Sequence, residues 1–106
     1  MALIYSPEAL DDFAAIWAYF ASDRSEAVAT RVLRDLQAKI MRLEKAPLLG
    51  HERSELGGGV RCLPLAGHDY VVYYLVIGRR KRVEIARILH GRRDIGTALS
   101  LAPPLS

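Results

Sequence analysis

The sequence predicts an α+β fold in which an N-terminal strand and a two-helix hairpin pack on a mainly antiparallel sheet, in the order β-α-α-β-β-β with a short C-terminal helix. Two features of the 106-residue chain carry this prediction. Through the first half, apolar residues recur at three- and four-residue spacing. From Val60 to His90 the pattern changes to short runs rich in β-branched and aromatic residues, separated by glycine-containing turns. No repeat, low-complexity block or linker divides the sequence. One domain over residues 1–106 is therefore expected, with 100–106 as a flexible tail.

Each element has its own local signal. Ala2 to Tyr5 is a short apolar run. Ser6-Pro7-Glu8 then supplies a capping hydroxyl, a proline at the first helical position and an early carboxylate. From Pro7 to about Ala21, Leu10, Phe13, Ile16, Trp17 and Phe20 make one apolar face, with Glu8, Asp11 and Asp12 assigned to the other side. Ser22 to Ser25 is a short polar link, and Asp23 or Ser25 caps a second helix that runs to about Lys45, before Pro47. Its inward positions are Ala29, Leu33, Leu36, Ile40 and Leu43; Arg31, Arg34, Asp35, Lys39 and Arg42 are expected to face outward.

Pro47 to Gly59 is read as a flexible connection. Its Gly57-Gly58-Gly59 lacks the lysine and hydroxyl of a nucleotide-binding loop and precedes a strand rather than a helix. Val60 to Leu65 is a strand in which Pro64 favours an edge position or a bulge. Tyr70 to Ile77 is apolar throughout, as in a central strand buried on both faces. After a basic turn at Gly78 to Lys81, the last strand ends at His90, where Gly91 is expected to adopt positive φ. Ile95 to Leu99 suggests a final helical turn.

Composition narrows the function classes. With 51% hydrophobic and 25% charged residues, the chain has ordinary globular composition. Cys62 is its only cysteine, so neither an internal disulfide nor a cysteine-based zinc site is expected, and the cytoplasm is the compartment inferred. No signal peptide or membrane span is read. Residues 1–50 carry six basic and seven acidic side chains against nine and five in residues 51–106, so the net charge of +3 belongs to the C-terminal half. That asymmetry points to an acidic or polyanionic partner there. His51 and His68 are read as isolated loop residues. Neither a metal nor a cofactor is expected.

Four stretches resemble one known family when taken together. They are Tyr5 to Phe13 (Y-S-P-E-A-L-D-D-F) with Ile16-Trp17 following, Glu55 to Pro64 (E-L-G-G-G-V-R-C-L-P), Tyr70 to Tyr74 (Y-V-V-Y-Y), and Val83 to Asp94 (V-E-I-A-R-I-L-H-G-R-R-D). Their order and spacing resemble the ParE branch of the ParE/RelE toxin superfamily over nearly the whole chain. The resemblance implies a toxin of a type II toxin–antitoxin module, neutralised by a ParD-like antitoxin whose flexible C-terminal part folds onto it. Inhibition of DNA gyrase is the implied action. The RelE-like branch instead cleaves mRNA on the ribosome, and a shared fold does not separate the two.

The candidate residues divide along the same line. Metal-independent RNA cleavage requires groups to remove and return protons, together with cations at the phosphate. His90, Arg61 and Arg87 are the residues available for it. The middle strand lacks the basic cluster typical of RelE-like ribonucleases, and Tyr70, Tyr73 and Tyr74 read as packing residues. The favoured reading therefore assigns no catalytic residue. It gives Arg61, Arg87, His90, Arg92 and Arg93, with the apolar Leu10, Phe13 and Trp17, to binding the antitoxin or the target. Direct sequence-specific DNA binding is not expected, because the basic turn at Arg79 to Arg82 has no interleaved aromatic residue.

Overall fold

The computed structural model of the protein describes residues 2–78 and 82–91. Arg79, Arg80, Lys81, Arg92, Arg93 and Asp94, together with the expected C-terminal helix and tail, lie outside the described residues.

The chain opens with β1 (Leu3–Tyr5) and α1 (Pro7–Asp23). Ser6 caps α1 through its hydroxyl, which accepts from the Ala9 N–H at 3.0 Å and donates to the Ala86 carbonyl at 2.8 Å. The N-cap is thereby fastened to the sheet as well as to its own helix. α2 (Glu26–Met41) begins at Ser25, whose hydroxyl accepts from the Val28 N–H at 3.1 Å. It ends earlier than the sequence suggests, relaxing into a 3-10 turn over Arg42–Glu44 before Pro47.

The expected flexible connection is instead partly ordered. It holds the two-residue β2 (His51–Glu52) and a 3-10 turn at Ser54–Leu56. β3 (Val60–Pro64), β4 (Tyr70–Ile77) and β5 (Arg82–His90) then form an antiparallel meander. The sheet order is β1-β5-β4-β3-β2, with β1 parallel to β5 and the other pairs antiparallel. β4 is central, as its unbroken apolar run requires. Pro64 lies beyond the two residues of β3 that pair with β2, where its missing N–H costs no ladder bond.

Helices cover one face of the sheet. Ala9, Phe13 and Ile16 of α1 and Leu36 and Ile40 of α2 pack with Val72, Tyr74, Val83, Ile85 and Ile88. Each fully buried aliphatic side chain there stabilises the fold by roughly 1.5–3 kcal/mol. The other face has its own cluster of Val60, Cys62, Tyr73, Leu75 and Leu89, with Leu56 packed against it.

A bulge decides how β5 divides between these faces. Tyr73 pairs with Arg87 while Tyr74 pairs with Ile85, leaving Ala86 as the extra residue. Ile85 and Ile88 consequently belong to the same core cluster despite their odd spacing. At the far end, Gly91 departs from expectation: positive φ occurs at Gly57, Gly59, Gly67 and Gly78 among the described glycines, and not at Gly91. The Gly91 N–H donates to the Asp69 carbonyl at 2.8 Å, so the backbone bonding of the hairpin continues one residue past β5 instead of turning sharply.

Candidate functional site

The basic residues singled out from the sequence occupy different places. Arg61 on β3 turns toward the loop after α2, donating through one guanidinium nitrogen to the Gly50 carbonyl at 2.8 Å and the Leu48 carbonyl at 3.4 Å. The Tyr74 hydroxyl serves the same loop, accepting from the Gly50 N–H at 2.8 Å and donating to the Pro47 carbonyl at 2.9 Å. Burial raises the Tyr74 phenol above its ordinary range, partly offset by the Gly50 hydrogen bond and the Arg61 charge. The fit is close: a Cβ on Gly50 would stand 2.6 Å from the Cys62 carbonyl oxygen and 2.7 Å from the Tyr74 hydroxyl. Arg61 and Tyr74 therefore hold residues 47–50 against the sheet.

Arg87 is occupied by a different partner. Its Nε and Nη2 donate to the two carboxylate oxygens of Asp12 at 2.8 and 2.9 Å. The side chains are only 13% and 11% exposed. The guanidinium is held above its ordinary pKa chiefly by that carboxylate. Asp12 thus does not belong to the solvent side of α1, where the helical pattern assigned it. At the edge of β5 beyond β1 it also accepts the Ile88 N–H at 2.9 Å.

His90 is exposed at the end of β5, with its ring 5.7 Å from that of Tyr70 and nearly perpendicular to it. Arg61 lies opposite Tyr74 and His90 opposite Tyr70, four residues apart along β4, a span of roughly 13 Å. The geometry does not gather His90, Arg61 and Arg87 around one scissile phosphate. Tyr73 and Tyr74 are buried packing residues, whereas Tyr70 borders a cleft with His90. Among the described residues no group of three or more His, Cys, Asp or Glu side chains is placed to hold a metal.

His68 is not the isolated loop residue it seemed. Its Nε2 lies 2.6 Å from Asp35, which also takes the Lys39 ammonium at 2.7 Å. The two partners lower the Asp35 carboxyl below its ordinary range, through the Lys39 hydrogen bond first and then that of His68. Asp35 thereby ties α2 to the β3–β4 turn through His68, while Lys39 braces that carboxylate from one turn along the same helix.

The apolar candidates also separate. Phe13 is 7% exposed, in the core and edge-on to Tyr5. Leu10 is 55% exposed. Trp17 is half-buried and directs its indole N–H toward the Thr30 hydroxyl at 3.5 Å. Together with Glu26, Ala27, Thr30, Arg31 and Arg34 it lines an open depression along the hairpin. A second apolar surface escaped the sequence reading. Leu48 and Leu49, 64% and 42% exposed, join Ala46, Pro47 and Val76 around a hollow of about 340 Å³. Two adjacent leucines in a segment expected to be a flexible link were the available signal.

The fold agrees with the comparisons to known proteins. A family model described as the ParE toxin of the type II toxin–antitoxin system parDE matches residues 3–95. Among solved structures, the chain is similar to one titled as the chromosomal ParDE toxin–antitoxin system from P. aeruginosa, with 24% identity and a TM-score of 0.75 over 85% of this chain and 95% of that one. That likeness supports the fold. No curated protein sequence matches significantly. No helix among the described residues is long and apolar enough to cross a membrane. The family match extends from β1 to beyond β5 and takes in every surface described above: the chain belongs to the ParE family, the toxins of type II toxin–antitoxin systems.

Proposed function

We propose that the protein acts by binding and inhibiting DNA gyrase, in the cytoplasm, and that its antitoxin neutralises it by laying an amphipathic helix across the outside of the hairpin. One observation carries the choice of a binding toxin over a ribonuclease. Arg61 and Arg87, the cations that cleavage would need, are engaged by the loop carbonyls and by Asp12 at a distance from His90. An inhibitor of gyrase needs no such cluster, because the nucleophile belongs to the target.

The hairpin surface favours an acidic amphipathic partner. Leu10 and Trp17, seven residues apart on α1, present apolar area on one side, and Arg31 and Arg34, against the single carboxylate of Glu26, edge the depression beside Trp17. A helix with apolar residues at matching spacing and carboxylates along one flank would satisfy both. No direct recognition of DNA sequence forms part of this reading.

The deciding experiment is a supercoiling assay run beside a ribosome-dependent mRNA cleavage assay on the same preparation. Loss of supercoiling without mRNA cleavage is expected. Unaltered supercoiling at saturating toxin would overturn the proposal, and cleavage abolished by His90→Ala would establish the ribonuclease instead.

A further inference from the structure

Along the outward side of α2, Ala27, Arg31, Arg34, Ala38, Met41 and Lys45 follow one another at three- and four-residue steps, and every one of them is exposed. That spacing sets them in a single stripe, with roughly 20 Å of chain axis between Arg31 and Lys45. The stripe starts in the depression beside Trp17 and ends at Lys45, next in sequence to Ala46 of the Leu48–Leu49 hollow. Met41, 55% exposed, adds apolar area near the shelf end.

The cations on this side are unengaged. Arg31, Arg34, Arg42 and Lys45 are exposed, and among the described residues none of them takes part in an ion pair or a side-chain hydrogen bond. Glu26, in the first turn, is the one exposed carboxylate of α2 and its 3-10 end. Asp35 is taken by Lys39 and His68, and Glu44 stands near the Tyr5 phenol, whose ionisation it opposes after burial as the larger cause. Past the shelf, Glu52 on β2 has Arg61 opposite it on β3. The charged side chains outside the described residues are Arg79, Arg80, Lys81, Arg92 and Arg93 against Asp94, so they add to the positive side of the balance.

The loop that carries the shelf is fixed by groups from the sheet. Tyr74 and Arg61 bond the backbone of Pro47, Leu48 and Gly50, while the side chains of Leu48 and Leu49 are left exposed. A loop ordered before binding does not have to be ordered by it. The hollow of about 340 Å³ beside the two leucines suits one large apolar side chain of a partner.

A second copy of this chain would bring the same cations to the stripe and meet them with like charge. An acidic partner is favoured, and the antitoxin placed at the other end of the stripe has chain to continue along it. We infer that the antitoxin's contact extends past the end of α2, the segment after its helix setting one large apolar side chain in the Leu48–Leu49 hollow with carboxylates facing Arg42 and Lys45. The inference rests on the antitoxin helix lying on the hairpin, and adds a second anchor to it.

The test is calorimetric titration of the full-length chain with its cognate antitoxin, for the wild type, Leu48→Ser, Lys45→Glu and Leu10→Ser, each with a melting curve. Leu48→Ser should weaken binding by about tenfold and Lys45→Glu by about threefold, with Tm unchanged. The Lys45→Glu effect should shrink as salt is raised. In the complex, amide exchange should slow at Leu48, Leu49 and Val76. Wild-type affinity in Leu48→Ser and Lys45→Glu, with weakening in Leu10→Ser, overturns the inference and leaves the hairpin helix standing; weakening in Leu48→Ser but not in Leu10→Ser keeps the shelf and removes that helix. A wild-type dimer in sedimentation that Leu48→Ser converts to monomer assigns the shelf to a second copy. Loss of supercoiling inhibition in Leu48→Ser at unchanged antitoxin affinity assigns it to the target. Either result overturns the inference.

Discussion

Asp12 on α1 grips Arg87 on β5 with two hydrogen bonds and with the same carboxylate accepts the Ile88 N–H, joining the first helix to the last described strand across 75 residues of sequence. Replacing either partner breaks a two-bond ion pair between side chains only 13% and 11% exposed. Asp12→Ala is expected to destabilise the fold by about 3 kcal/mol, with Arg87→Ala similar. The double variant should cost clearly less than the sum, because each single variant already removes the shared interaction. Urea denaturation of the three variants measures this. A loss of toxicity in Arg87→Ala is then expected to follow the loss of stability.

The loop after α2 provides a second test. Tyr74→Phe deletes the acceptor of the buried Gly50 N–H and the donor to Pro47 with almost no change in volume. Leaving a buried donor unsatisfied costs about 1–3 kcal/mol. Exchange of the Gly50 amide with solvent should accelerate more than that of β4 amides such as Val72. Uniform acceleration across the chain would show that Tyr74 supports the whole fold and not this loop in particular.

How far these contacts could be read from sequence depends on their range. The helices were legible because capping and apolar spacing act within a few residues: Ser6 and Ser25 are the caps, and Phe13, Ile16, Leu36 and Ile40 are core. Central β4 was legible from its composition. The Asp12–Arg87 pair was not, since helical spacing placed Asp12 on the polar side and nothing local identified a partner on β5. The bulge at Ala86 was equally hidden, because simple alternation puts Ile85 and Ile88 on opposite faces. Arg61 looked available for binding because the carbonyls it satisfies belong to a loop that the sequence marked only as flexible.

Acid should weaken the attachment of the β3–β4 turn to α2. Asp35 has its carboxyl lowered by Lys39 and His68 in the folded protein. A lowered carboxylate contributes stability that is present above its unfolded value, near pH 4, and is lost as pH falls through the folded value. The wild type should therefore lose Tm between pH 5 and pH 3 more steeply than Asp35→Asn, which has no carboxylate to protonate. Parallel Tm curves for the two proteins would contradict the pairing.

Leu10 and Phe13 separate antitoxin recognition from folding, although they lie three residues apart on α1. Phe13 is buried among core residues, and Phe13→Ala should cost about 3–5 kcal/mol, so any antitoxin binding it loses follows from unfolding. Leu10 is mostly exposed, and Leu10→Ser should change stability by no more than about 0.5 kcal/mol. If the antitoxin helix lies on the outside of the hairpin, that substitution should still weaken the complex by about tenfold, the effect of losing an interface anchor worth somewhat more than 1 kcal/mol. Calorimetric titration with the cognate antitoxin, paired with a melting curve of each variant, measures both quantities. Unchanged affinity for Leu10→Ser would move the docking surface away from this face of α1, to the exposed Leu48–Leu49 shelf as the next apolar surface to vary.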